Sequence, residues 1–97
     1  MDIYDWFGIS VKYIDGYPDF RGAGLVLQMV NIGGFGNRRS DARKADKLAP
    51  NGPRNADSVW HHSQDGFTME EVNYDIHRRF THKGGISNLK GRIKNGF

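Results

Sequence analysis

Ninety-seven residues without an internal repeat predict one domain, of a size that draws only modest stability from its core. The chain holds no cysteine, which excludes disulfide frameworks and thiolate metal sites, and no apolar run long enough to span a bilayer. Its formal charge is only +3, but the charge is segregated. Residues 1–36 carry Lys12 and Arg21 against four aspartates (−2), and residues 37–54 carry six bases against Asp41 and Asp46 (+4). Residues 55–75 hold five acids and no Lys or Arg (−5), and residues 76–97 hold six bases and no acid (+6). An acidic strip between two basic ones suits a cation site beside a polyanion-binding surface; ordinary solvated surface has the same composition.

Gly8 to Ile14 alternates apolar and polar side chains, the period of a half-buried strand. Asp15-Gly16 predicts a turn, and Pro18-Asp19 continues an irregular stretch. Leu25 to Ile32 predicts a second, more buried strand, and an antiparallel pairing of the two is the simplest arrangement. The glycines of Gly33-Gly34-Phe35-Gly36-Asn37 fit neither a Walker loop nor a dinucleotide fingerprint, and they read as a turn. Ser40 to Ala49 predicts a short basic helix capped by Ser40 or Asp41 and stopped by Pro50-Asn51-Gly52-Pro53.

Ser58 to His62 reads as a strand, with a hairpin signal at Asp65-Gly66. Beyond it, Thr68-Met69-Glu70-Glu71 has the form of a capping box that would start a helix at Met69. The hairpin signal favours the other reading, in which Phe67 to Val72 returns as a strand and Asn73 caps a helix from Tyr74 to Phe80. Thr81 to Gly85 ends that helix, and a basic tail runs from Ile86 to Phe97.

All four histidines fall in one short window, at His61, His62, His77 and His82. Imidazole is the commonest metal ligand and the side chain best suited to proton transfer near neutral pH. Adjacent strand residues point to opposite faces, so one of His61 and His62 coordinates an ion while the other looks toward substrate. His77 on the helix and His82 just beyond it are spaced to converge on the same ion. Three protein ligands with an open position is the arrangement of catalytic sites. Three imidazoles favour zinc, nickel or similar ions, whereas magnesium prefers oxygen. Trp60 reads as core, Asp65 as a turn residue, and Glu70 and Glu71 lack the spacing of a paired-carboxylate site.

The order Trp60-His61-His62, Asp65-Gly66-x-Thr68-Met69, Ile76-His77 and His82-x-Gly84-Gly85 resembles the WHH group of HNH/endonuclease VII-type toxin nucleases. Gly16-Tyr17-Pro18-Asp19-Phe20 resembles the opening of that domain, so the likeness covers roughly residues 16–88. Colicin-type DNases, relatives in the wider superfamily, also begin the motif with His-His. The resemblance implies an α+β fold with a small ββα-metal (His-Me finger) core at about residues 58–85. To this the chain adds an N-terminal antiparallel β-hairpin and the short basic helix.

It further implies His61, His77 and His82 as ligands to one divalent ion (zinc, nickel, manganese or magnesium) and His62 as general base. The segment between the histidine pair and the helix is shorter than in colicin-type DNases, and Asn73 is the candidate for the central Asn of the HNH pattern. Arg38, Arg39, Arg78, Arg79 and Lys83 are candidates for phosphate contacts, against the bland reading of exposed charge. The function expected is metal-dependent cleavage of nucleic acid, DNA first and RNA second, by a toxin domain at the end of a larger exported bacterial protein. Delivery into a target cell's cytoplasm and neutralisation by a cognate immunity protein go with it. A zinc-stabilised nucleic-acid-binding module without catalysis is the alternative.

Overall fold

The computed structural model describes residues 2–81. They form β1 (Asp2–Trp6), β2 (Ile9–Ile14), β3 (Tyr17–Pro18), β4 (Gln28–Asn31), α1 (Arg38–Leu48), β5 (Ser58–His62), β6 (Thr68–Asn73) and α2 (Tyr74–Thr81). The fold is α+β, with two antiparallel three-stranded sheets in the orders β1-β2-β3 and β4-β6-β5.

The expected pairing of residues 8–14 with 25–32 does not form. β2 pairs with β1 on one side and β3 on the other, so neither of its edges is free. Both neighbours are joined to it by two-residue turns with positive φ at both positions, Phe7-Gly8 (50° and 80°) and Asp15-Gly16 (54° and 85°). This backbone matches the twist of a hairpin. The second predicted strand shortens to Gln28–Asn31 and pairs with β6.

The predicted hairpin of β5 and β6 does form, with His62 opposite Met69 as its last pair. Asp65 holds the connection by accepting 2.8 Å hydrogen bonds from the Phe67 and Thr68 amides. Asn73 caps α2 as expected, its Oδ1 accepting from the amides of Asp75 (3.0 Å) and Ile76 (3.2 Å). The cap of α1 is Asn37, not Ser40 or Asp41, and the helix starts two residues earlier than predicted. The Asn37 Oδ1 accepts from the Ser40 amide at 2.9 Å.

Register and pleat divide β5 and β6 between two cores. Trp60 and Met69 join Ile32 and Ala45 in a cluster under α1. On the other face Val72 joins Val11, Tyr13, Phe20 and Phe80, between the first sheet and α2. The β4-β6-β5 sheet is therefore covered on both faces, and β5 stands at its edge.

Candidate active site

His61 and His62 end β5 and point to opposite faces, as alternation requires. On the α2 side, His61 Nδ1 lies 3.0 Å from His77 Nε2, one ring donating and the other accepting. Helical periodicity brings His77 and Phe80 inward together, and both are buried. Phe20 seats the pair, with its ring centroid 5.0 Å from that of His61 and 5.7 Å from that of His77. Burial lowers the pKa of His61 to about 4, helped by the charge of His62, so the ring is neutral at physiological pH. Neutral imidazole is the form that ligates a metal.

On the α1 side, His62 Nε2 lies 3.0 Å from Asp41 Oδ2. Asp41 is only 1% exposed and also accepts from the Gly36 amide. Phe35 packs edge-on against the His62 ring at a centroid distance of 4.5 Å. His62 Nδ1 is buried and has no hydrogen-bond partner among the described residues.

A small polar cavity of about 160 Å³ adjoins His61, with Asp19, Glu70, Ser63 and Gln64 among its walls. Arg21 closes over it, Nη2 and Nε donating to Glu70 Oε2 at 2.7 and 3.0 Å. Burial raises the Glu70 pKa and the Arg21 guanidinium opposes that rise. A larger groove of about 970 Å³ runs beside the edge strand β5 and reaches both helices. Arg38, Arg39 and Arg43 from α1, Arg54, Tyr74 and His77 line it. Trp60, predicted as core, is 5% exposed and forms part of its floor.

The structure thus unites His61 with His77, and places His62 one residue along on the opposite face. Among the described residues no group of three or more His, Asp or Glu side chains is gathered to hold a metal. His82 and Lys83 lie outside the described residues. Asn73 spends its amide oxygen on the α2 cap. Arg38 and Arg39 line the groove, whereas Arg78 and Arg79 border a separate cavity of about 410 Å³ with Trp6 and Asp75.

Sequence reasoning missed Asp41, because an Asp in a first helical turn is already explained by capping and the helix dipole. It also passed over Arg54 and Tyr74 and set Glu70 aside, since their surroundings depend on neighbours distant in sequence.

The sequence model of the DNase/tRNase domain of colicin-like bacteriocins matches residues 10–84, and the chain belongs to that family. The match spans most of the chain, from the second residue of β2 through α2, and it makes the protein a toxin nuclease domain whose substrate is nucleic acid. In bacteriocins such a domain is accompanied by an immunity protein. Searches of curated proteins and of solved structures found no match. No helix among the described residues is long and apolar enough to cross a membrane.

Proposed function

We propose that the chain is a metal-dependent endonuclease of the WHH, HNH-type group, cutting DNA by hydrolysis with β5, β6 and α2 as its ββα-metal core. The observation that carries the proposal is the meeting of His61 and His77 at 3.0 Å across the β5–α2 junction, with His62 committed to a different partner.

His61 and His77 bring two ring nitrogens within 3.0 Å of each other, near enough that one ion could take the place of the proton they share. Two buried imidazoles, one held neutral, suit a divalent cation of the zinc or nickel kind. His61 and His77 would hold it, with His82 as the third ligand by the family likeness. When bound, the ion supplies charge stabilisation to the phosphodiester and its leaving oxygen.

The chain's own residues supply the proton chemistry. Asp41 accepts the Nε2–H of His62, which fixes the tautomer and leaves the Nδ1 lone pair as the ring's basic site, which a water must enter the buried pocket to reach. Asp41 stabilises the imidazolium once that water's proton has moved. Glu70 and Arg21, joined to each other, line the cavity beside His61, whose ring is held by Phe20 and His77. β5 is an edge strand, so a substrate lying along it meets both of its faces at once. Asn73 acts through α2, whose start it caps and which carries His77.

As a toxin domain the chain would work in a target cell after export within a larger protein. A cognate immunity protein with an acidic face would cover the arginine-lined groove, since complementary charge speeds association.

Plasmid DNA and RNA incubated with the protein across magnesium, manganese, nickel and zinc test the reading. Cleavage is expected in at least one metal, lost in His62→Ala and in His61→Ala and His77→Ala. Wild-type protein that binds nucleic acid without cutting it in any metal would return the non-catalytic zinc module. Equal cutting by His62→Ala would remove the assigned base.

A further inference from the structure

We infer that the groove beside β5 holds an unpaired stretch of nucleic acid, with a base stacked on Tyr74 and phosphates on Arg39 and Arg43. The inference rests on the nuclease reading for its substrate and goes beyond it in strand form and in residues.

The groove is built, not a scatter of surface cations. Asp46 secures two of its walls through one carboxylate. It accepts the Trp60 Nε1–H at 2.7 Å, and it pairs with the Arg54 guanidinium at 3.4 Å while accepting the Arg54 amide at 3.0 Å. Arg39 and Arg43 stand four residues apart on α1, the spacing that places side chains on one helical face. No acidic side chain lines the groove among the described residues, whereas the separate cavity at Arg78 and Arg79 includes Asp75. The groove therefore attracts polyanions chiefly at Arg39 and Arg43, since Asp46 offsets the charge of Arg54, and its lining includes His77, the inferred ligand.

Charge alone does not explain the aromatic wall. Tyr74 opens α2, is 51% exposed, and has its backbone amide anchored on the Asp57 carbonyl at 2.7 Å. An exposed aromatic ring on an anchored backbone, lining a groove with guanidinium groups, is the arrangement that binds single strands, where each base offers a free face for stacking. Duplex nucleic acid presents phosphate and sugar on its outside and keeps base faces covered. A groove meant only for duplex backbone could use the Tyr74 hydroxyl on a phosphate but not the face of its ring, and Tyr74→Phe separates the two.

The test is fluorescence anisotropy on the full chain with a labelled phosphorothioate oligonucleotide, so that binding is read without strand loss. The same oligonucleotide is used single-stranded and as a blunt duplex, with Tyr74→Ala, Tyr74→Phe and Arg43→Ala beside the wild type. Single strand is expected to bind more tightly than duplex. Tyr74→Ala should weaken single-strand binding by roughly tenfold and leave duplex binding unchanged, while Tyr74→Phe keeps the stacking face and the affinity. Arg43→Ala should weaken both forms and reduce the salt slope by about one contact. Circular dichroism checks that each variant is folded.

Equal affinity for the two forms, or a silent Tyr74→Ala, overturns the inference and leaves a phosphate track only. The cleavage assay reports separately: Tyr74-dependent single-strand binding without cleavage in any metal spares the groove and sinks the nuclease mechanism. Cleavage that survives beside a silent Tyr74→Ala does the reverse.

Discussion

Asp41 is the residue whose environment departs most from what its position in the chain suggests. A first-turn aspartate ordinarily faces solvent, yet this one is buried and accepts from both Gly36 and His62. Asp41→Asn keeps the shape but offers an amide where His62 needs an acceptor. We expect kcat for nucleic-acid cleavage to fall by roughly 10²–10⁴, the range for losing general-base assistance, with KM little changed. Asp41→Ala also strands a buried imidazole nitrogen and should cost about 1–3 kcal/mol in denaturant unfolding.

His61 gives a pH dependence of definite sign. Its folded pKa of about 4 lies below the ordinary value of 6.5 because burial, and then the charge of His62, disfavour the imidazolium. Between those two values the unfolded chain binds more protons than the folded one, so stability rises with pH. The contribution is complete above about pH 6.5 and lost as pH falls toward 4, amounting to roughly 3 kcal/mol by linkage. Urea unfolding of metal-free protein at pH 7.5 and 4.5 measures it. His61→Asn should flatten the difference; an unchanged slope in that variant would assign the effect elsewhere.

At the scale of elements, α2 is the part on which the site turns. It is short, and its first free amides are satisfied by Asn73. Loss of such a cap costs about 1 kcal/mol. Asn73→Ala should therefore lower the unfolding midpoint modestly and weaken metal affinity measurably, because His77 is positioned by that helix. Asn73→Asp or Asn73→Ser, both good caps, should restore both quantities. Metal titration by calorimetry checks the coupling.

The buried network around Glu71 ties the loop after α1 to the central strand. Against the burial that would raise its pKa, hydrogen bonds from the Asn55 amide, Gln28 and the Asn55 side chain hold this carboxylate below its usual range. Gln28 also donates to the Gly52 carbonyl and accepts from the Asn51 amide, so one strand residue holds the first part of that connection.

For the molecule as a whole, binding of the proposed ion should be coupled to folding. The two cores meet at β5 and β6, and His61 and His77 lie where the first sheet, β5 and α2 converge. Chelation should lower the thermal midpoint as well as abolish cleavage, since binding to the native state is folding free energy. Differential scanning fluorimetry with EDTA, followed by re-addition of zinc, nickel or manganese, shows which ion restores each property. A chain whose midpoint ignores both treatments would not carry the proposed site.

Local chemistry made the C-terminal half legible. The alternation through Trp60-His61-His62, the Asp65-Gly66 turn and the Asn73 cap each act over a few residues, and each is found in the structure. The N-terminal half was harder. Phe7 adopts positive φ, which a bulky residue rarely signals, so the β1–β2 turn and with it β1 had no marker. β3 is only two residues long and contains Pro18, too little to read as a strand.

From its sequence alone this protein has an alternating strand that sends neighbouring histidines to opposite faces and a capped helix that carries His77. Backbone geometry acting over a few residues imposes both. What lies opposite each histidine was settled only in three dimensions. Asp41 reaches His62 from 21 residues away in the chain, and Arg21 reaches Glu70 from 49. Such contacts arise from how two sheets and two helices close around shared cores, and no spacing along the chain encodes them.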